Sequence, residues 1–170
     1  MLYTLTTLCQ PPRSEGRPVH VDTRYWVPDF VVGLGITVLL DDFTDETGPT
    51  RFYPDLTLDE PSAEEFEARA LRLEAPAGSA CWFHGRIWHD VPPNRTDQWR
   101  RSILIAMVRP WVRQRFDMAA MVAHLDVDSF PDALSQRLGF AAIPPRSYDE
   151  YYLPDAVRRK ELLRRAIDRA

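Results

Sequence analysis

The chain has 170 residues, of which 45% are hydrophobic, a size and composition typical of a single globular domain. Its net charge of −4 gives no basic field that would attract nucleic acid. No apolar run reaches the roughly 20 residues that a membrane-spanning helix needs. We therefore expect neither nucleic acid nor a membrane as a partner.

The start of the chain and its cysteine content indicate a cytoplasmic protein. Residues 1–10 contain no basic segment followed by a long apolar run, so we expect no signal peptide. Cys9 and Cys81 are too few for a disulfide framework and lack the spacing of paired metal ligands. We expect both cysteines to be reduced and to lie in the core.

Short strands are predicted along the first two-thirds of the chain. The segment 2–8 alternates large apolar residues with threonine, and LGITVLL at 34–40 is an apolar run of the doubly buried kind. In chain order the predicted strands cover 2–8, 18–22, 34–40, 50–53, 69–73, 79–83, 86–89 and 100–108. Many short strands separated by polar turns indicate a sandwich or a barrel.

The last third of the chain changes to helical spacing. Helices are predicted over 113–125 and 131–138, with Gly139 as a C-cap, and Pro154 opens a last helix that runs through Ala170. We therefore expect a β core over residues 1–112, with helices from 113–170 packed on the same domain.

The stretch HVDTRYW is the first candidate site. Residues two apart in a strand point to the same face, so His20 and Asp22 can reach one ion together. His89, in GRIWHDVPPN, follows a short predicted strand and is the candidate third ligand. Two histidines and a carboxylate form the facial triad of non-heme Fe(II) oxygenases, which leaves coordination positions open. The motif HxD is also common by chance, so a polar strand edge stays an alternative.

A candidate ligand-binding arginine follows His89 in the sequence. Arg100 opens the apolar strand RRSILIAMV and can bind a dicarboxylate through paired hydrogen bonds from inside a barrel. Because side chains alternate along a strand, its neighbour Arg101 should point to the opposite face.

Three segments of the chain resemble the phytanoyl-CoA dioxygenase family of Fe(II)/2-oxoglutarate oxygenases. They are HVDTRYW, ITVLLDDFTDETGPTRFYP and GRIWHDVPPNRTDQWRRSILIAMVRPW, and the tail LGFAAIPPRSYDEYY is similar to bacterial members. The resemblance implies a mainly β fold, the double-stranded β-helix (a cupin-like jelly roll), over residues 1–112. It further implies that His20, Asp22 and His89 bind the iron, while Arg100 binds the distal carboxylate of 2-oxoglutarate. The cofactors would be Fe(II), 2-oxoglutarate as cosubstrate and O2.

The resemblance also predicts the type of reaction. The cosubstrate would be oxidatively decarboxylated to succinate and CO2, and a small organic molecule of natural-product or acyl type would be hydroxylated. Related halogenases replace the carboxylate ligand with a small residue so that chloride can take its place. Asp22 occupies that position here, so we expect hydroxylation rather than halogenation.

The chain departs from the family at its start, because members usually carry a longer segment before HxD that covers the site. We therefore expect an open site, unless a second copy of the chain, a partner subunit or the C-terminal helices cover it. The alternative function is a catalytically silent or partner-dependent jelly roll that serves as a subunit or binding module. A zinc hydrolase is disfavoured because the chain has no HExxH motif and no paired cysteine ligands.

Other conspicuous residues have simpler interpretations. Trp26 closely follows two of the candidate ligands and is the predicted substrate contact. His84 is interpreted as a strand histidine that faces away from the site, and His124 as a surface residue of a helix. Asp41 and Asp42 fit a solvated turn better than a second metal site.

Overall fold

The computed structural model describes residues 1–142, 144–154, 157, 158 and 161. Within these residues the strands are β1 (Leu2–Gln10), β2 (Arg17–His20), β3 (Gly33–Leu39), β4 (Arg51–Phe52), β5 (Leu71–Arg72), β6 (Ala80–His84), β7 (His89–Val91) and β8 (Arg100–Val108). The helices are α1 (Ala63–Arg69), α2 (Met118–Met121), α3 (Asp132–Leu138) and α4 (Tyr148–Tyr151), with 3₁₀ turns at Val127–Ser129 and Phe140–Ala142.

The strands form two four-stranded sheets. One has the order β1-β8-β3-β6 and the other the order β2-β7-β4-β5. The pairs β3–β6, β2–β7, β4–β7 and β4–β5 are antiparallel. This arrangement confirms the predicted mainly β fold with C-terminal helices.

The strand predicted over 34–40 is present as β3, but the prediction that it is buried on both faces is wrong. In β3, Gly33, Gly35, Thr37 and Leu39 are buried, while the residues between them are more exposed. β8 begins with buried Arg100, exposed Arg101 and buried Ser102. A strand turns successive side chains to opposite faces, so Arg100 and Arg101 lie on opposite sides of their sheet, as predicted.

The predicted strand over 86–89 is wrong, because residues 85–88 form a turn and β7 begins only at His89. The turn is held by the backbone N–H of Arg86, which donates to Nδ1 of His84, and by the N–H of Ile87, which donates to the carbonyl of His84. The Arg86 side chain then donates to the carbonyls of Thr57 and Leu58. Because of these hydrogen bonds, residues 85–87 do not form a strand.

The predicted strand over 69–73 is shorter in the structure, and helix α1 precedes it. Ser62 accepts a hydrogen bond from the backbone N–H of Glu65, and the Glu65 side chain accepts one from the backbone N–H of Ser62. This reciprocal pair is a capping box, which satisfies N–H groups that the first turn leaves free. Phe66 is the buried residue of the helix.

The predicted helix over 113–125 is also wrong in its extent. Asp117 caps α2 by accepting from the backbone N–H of Ala120, so the helix begins at Met118, and it ends at Met121. The helix predicted over 131–138 is confirmed as α3, and Gly139 ends it with a left-handed φ of 93°. The last predicted helix, from Pro154 onward, lies mostly outside the described residues.

Two compact units can be distinguished, one of residues 5–107 and one of residues 1–4 and 108–170. The second unit has a small apolar core formed by Met118, Ala119, Ala123, Val127, Leu138 and Phe140. The predicted domain boundary at residue 112 stays a prediction. No helix in the described part of the chain is long and apolar enough to cross a membrane.

The cysteine prediction is confirmed in one respect and wrong in another. Both thiols are free, but Cys9 is exposed and Cys81 is only partly buried. Strand parity accounts for the exposure of Cys9, because its neighbours Leu8 and Gln10 occupy more buried positions of β1.

Candidate functional site

Strand pairing brings His20 and His89 together. The two residues are directly opposite in the antiparallel register of β2 and β7, and their ring centroids are 4.3 Å apart. Opposite residues on paired strands share one face of the sheet. At the other end of this strand pair, Gly16 allows the chain before β2 to lie against Val91, because a Cβ there would be 2.0 Å from the carbonyl oxygen of Val91.

Asp22 completes a cluster with the two histidines. Its Oδ1 lies 4.0 Å from Nε2 of His20 and 3.9 Å from Nε2 of His89. One possible ligand atom from each of the three residues lies within 4.8 Å of the others. The structure therefore brings together the three residues that the sequence predicted as ligands, although their role as iron ligands stays a prediction.

The hydrogen bonds of the cluster leave the metal-binding atoms available. Nδ1 of His20 lies 2.9 Å from the carbonyl of Pro18, and Nδ1 of His89 lies 3.0 Å from the carbonyl of Ile87. A carbonyl only accepts, so Nδ1 carries the proton in each ring, and in the neutral tautomer Nε2 presents a lone pair. Oδ2 of Asp22 is buried, and no group in the described residues bonds to it.

The surroundings of His89 favour its neutral, metal-binding form. Burial lowers the pKa of His89, and this effect exceeds the opposing attraction of Asp22. The rings of Phe52 and Phe83 lie 5.7 and 5.5 Å from the imidazole centroid. These aromatic walls keep water from one side of the cluster.

Arg100 lies in the same cavity as the cluster. The cavity has a volume of about 260 Å³ and lies between the two sheets, where it is lined by His20, Asp22, His89 and Arg100. Arg100 is only 4% exposed, and its guanidinium carbon lies 4.2 Å from the centroid of the Phe43 ring. Burial, with a smaller contribution from the charge of Arg17, lowers the pKa of Arg100 to about 10. The side chain remains cationic at neutral pH.

No carboxylate of the described residues pairs with Arg100. The hydrogen bond that its side chain makes goes from Nε to the neutral Oε1 of Gln10, at 2.8 Å. A buried cation without an ionic partner carries an uncompensated desolvation cost. The cavity thus contains a metal-binding cluster and a cation that an anionic ligand would neutralise.

A second arginine, Arg51 of β4, lies on the face of the other sheet that does not line the cavity. Arg51 donates to Asp90 at 2.6 and 3.0 Å and to Glu67 at 2.8 Å. Hydrogen bonds from Arg51 to Asp90 first, and to Glu67 second, raise the pKa of Arg51. Since Asp90 follows His89 in β7, this pairing fixes the strand that carries the third candidate ligand.

The remaining residues that the sequence singled out lie outside the cluster. His84 accepts from the backbone of Arg86 and is not part of the cluster, and His124 is exposed, as predicted. Asp41 accepts from Arg101, and Asp42 accepts from the backbone of Ala77. Trp26 lies with its ring 5.9 Å from the Arg86 guanidinium and does not line the cavity, so its substrate contact stays a prediction.

Sequence reasoning missed two contributors to the site. Gln10 holds Arg100 across 90 residues of sequence, and no local pattern indicates such a contact. The pairing of Arg51 with Asp90 was also missed, although Arg51 lies in one predicted strand and the oppositely charged Asp90 directly follows another.

The family model and the relative that match this chain both indicate a dioxygenase family. Residues 1–102 match the family model described as phytanoyl-CoA dioxygenase (PhyH). The dioxygenase cdmA of Talaromyces verruculosus is 32% identical over 112 residues, which cover 63% of this chain and 31% of that protein. The chain thus spans about a third of the length of this curated relative.

Solved structures share the fold. AviO1 from Streptomyces viridochromogenes Tue57 superposes with a TM-score of 0.57 at 19% identity, over 66% of this chain and 52% of that one. EctD from S. alaskensis, solved with 2-oxoglutarate and 5-hydroxyectoine, superposes with a TM-score of 0.53 at 19% identity, over 62% and 43% of the two chains. At these identities the likeness concerns the fold alone.

Proposed function

Since the chain belongs to the phytanoyl-CoA dioxygenase family, we propose that it is an Fe(II)- and 2-oxoglutarate-dependent dioxygenase. Its substrate would be a small organic molecule of natural-product or acyl type, which it would hydroxylate. His20, Asp22 and His89 would hold the iron, and Arg100 would bind the distal carboxylate of the cosubstrate. One observation carries this proposal: a two-histidine, one-carboxylate cluster shares a cavity with a buried arginine that has no carboxylate partner in the described residues.

The donor set fits Fe(II). Two neutral imidazoles and one carboxylate are the ligands of the facial triad, and this set leaves coordination positions open for other molecules. Oδ2 of Asp22 is buried without a partner, which is costly for a carboxylate oxygen unless a cation lies nearby. The backbone carbonyls bonded to Nδ1 of each histidine orient the rings, as second-shell partners do at metal sites.

Each side chain has a distinct task in the proposed reaction. Bound iron, with 2-oxoglutarate and O2, would supply the oxidation itself. Arg100 would hold the cosubstrate through its charge, while Phe52 and Phe83 would exclude water from beside His89. The negative charge of Asp22 disfavours a chloride ion at the same metal, so we expect the product to gain oxygen rather than chlorine.

The decisive experiment is an anaerobic titration of the purified chain with Fe(II) and then 2-oxoglutarate. We expect a weak visible charge-transfer band that appears only when both are present, and that is absent in the His89→Ala variant. A protein that binds neither reagent would contradict the proposal and would support the alternative, a silent binding module. Once a substrate is identified, mass spectrometry in chloride buffer should detect added oxygen, and a chlorinated product would refute the hydroxylase assignment.

A further inference from the structure

Gln10 connects Arg100 to two backbone segments at one end of the cavity. Its Oε1 accepts from Nε of Arg100 at 2.8 Å, and its Nε2 donates to the carbonyls of Pro92 at 2.9 Å and Glu15 at 3.4 Å. The guanidinium can only donate and the carbonyls can only accept, so the orientation of this amide is determined by its neighbours. Both Gln10 and Arg100 are buried.

The contact with Gln10 removes one of two ways in which Arg100 could bind a carboxylate. A guanidinium has five N–H donors, and a carboxylate can pair with Nε and one Nη or with both Nη atoms. Gln10 occupies the single hydrogen of Nε, and Phe43 covers one face of the guanidinium. Within the described residues, no protein acceptor bonds to the Nη atoms of Arg100.

We propose that Gln10 is a positioning residue that makes Arg100 bind its carboxylate end-on, through the two Nη nitrogens. This inference rests on the proposed function, in which that carboxylate is the distal end of 2-oxoglutarate. Fixing the guanidinium before the ligand arrives reduces the freedom that is lost on binding. Gln10 thereby sets the direction from which the cosubstrate enters the cavity toward the histidines.

The contacts at position 10 fit a glutamine side chain better than a glutamate, a lysine or an apolar side chain. A glutamate would neutralise Arg100 and would turn a carboxylate oxygen toward the carbonyls of Pro92 and Glu15. A lysine could not accept from Nε, and an apolar residue would leave Nε buried without a bond. A neutral acceptor on one side and a donor on the other hold the arginine and leave its charge available to the ligand.

The binding mode can be tested in the native protein, loaded with diamagnetic Zn(II), by NMR of the arginine side chains. We expect the Nε–H of Arg100, assigned by its disappearance in Arg100→Met, to be protected from solvent exchange before any ligand is added. Addition of 2-oxoglutarate should slow exchange at the Nη hydrogens and leave the Nε–H in place. If the ligand instead displaces the Nε–H from Gln10, the end-on assignment is overturned.

A matched pair of variants separates positioning from general stability. Gln114 also donates from Nε2 to two backbone carbonyls, those of Leu2 at 2.7 Å and Leu138 at 3.1 Å, but it does not line the cavity. We expect Gln10→Met and Gln114→Met both to lower the unfolding midpoint. Calorimetry with Zn(II) should show 2-oxoglutarate affinity weakened about tenfold in Gln10→Met, equivalent to about 1.4 kcal/mol, and unchanged in Gln114→Met.

The outcomes also distinguish this inference from the proposed function. If Arg100→Met leaves the affinity for 2-oxoglutarate unchanged, the cosubstrate assignment itself fails. If Arg100→Met loses binding while a folded Gln10→Met binds within about twofold of the native protein, only the role of Gln10 fails. Should Gln10→Met not fold, Gln10→Glu retains an acceptor for Nε, and it should still bind more weakly because its charge neutralises Arg100.

Discussion

Two arginines, Arg100 on β8 of one sheet and Arg51 on β4 of the other, have opposite environments. Arg100 lies in the cavity, bonds to a neutral amide, and has its pKa lowered to about 10. Arg51 binds two carboxylates, which raise its pKa. The paired arginine stabilises the fold, whereas the unpaired one is retained at a desolvation cost that an anionic ligand would relieve.

The register of β4 and β7 keeps the ion pair of Arg51 apart from the cavity. Phe52 lies opposite His89, and both line the cavity. Arg51 lies opposite Asp90, on the other face, where the two form an ion pair. A shift of one residue in this register would exchange the two faces, so the ion pair on one side maintains the position of the histidine on the other.

The largest effect on metal binding in the cavity is expected from the removal of a histidine. We expect His89→Ala, and equally His20→Ala, to abolish Fe(II) binding, because two ligands cannot hold the ion in a facial triad. Calorimetric titration with Fe(II) under argon measures this. His84→Ala should retain binding, since His84 lies outside the cluster. Turnover that persists in His89→Ala would show that the cluster is not the metal site.

Removing Arg100 should weaken the binding of 2-oxoglutarate without reducing the stability of the fold. In Arg100→Met, we expect the affinity for 2-oxoglutarate to fall by about 2–5 kcal/mol, because the buried carboxylate of the ligand loses its partner. The free energy of unfolding should stay the same or rise, since a desolvated cation has been removed. Arg101→Met is the matched control on the outer face and should leave the affinity unchanged. Equal losses in both variants would mean that the inward and outward faces of β8 are misassigned.

Removing Arg51 should have the opposite effect and reduce the stability of the fold. Arg51→Met leaves Asp90 buried without its partner, so we expect a loss of about 3 kcal/mol in the free energy of unfolding, measured in urea. Glu67→Gln should cost much less, because Glu67 is largely exposed. Weaker metal binding in folded Arg51→Met would indicate that β7 has shifted. A stability equal to that of the native chain would contradict the structural role of the pair.

Strand parity allowed much of this arrangement to be predicted from sequence. The alternation of Arg100 with Arg101 depends only on neighbouring residues in a strand. Asp22 lies two residues beyond the end of β2, so the strand predicted over 18–22 is too long, and strand parity does not explain why Asp22 lies beside His20. The partnership of His20 with His89 depends on register across 69 positions of the chain, and the spacing alone could not establish it. The resemblance to the phytanoyl-CoA dioxygenase family indicated that His89 belongs with His20.

The wrong predictions also have physical causes. The segment 86–89 has the composition of a strand, but the hydrogen bonds of Arg86 to His84, Thr57 and Leu58 turn it. Helix α1 was missed although the Ser62 and Glu65 spacing of a capping box is visible in the sequence. Helix α2 is short because Asp117 provides an N-cap inside the predicted helix.

The smallest expected effect concerns an exposed pair and sharpens the contrast with Arg51. The Arg101 side chain donates two hydrogen bonds of 2.8 Å to the Asp41 carboxylate, and the Arg101 backbone N–H donates a third. The side-chain bonds from Arg101 are the main cause of the lowered pKa of Asp41. A carboxyl group with a lowered pKa stabilises the fold above its unfolded pKa of about 3.9, and this contribution disappears as the pH falls through the folded value.

We therefore expect Asp41→Asn to be slightly less stable than the native chain at neutral pH, and the difference should vanish in acid. Urea unfolding at a series of pH values from neutral to below the unfolded pKa of Asp41 measures this difference directly. Arg101→Met should reproduce the same pH dependence, because it removes the same pair from the other side. High salt should reduce the difference, since the pair is exposed to solvent. A difference that stays constant with pH would show that Asp41 acts through its shape in the turn, and that its charge contributes nothing to stability.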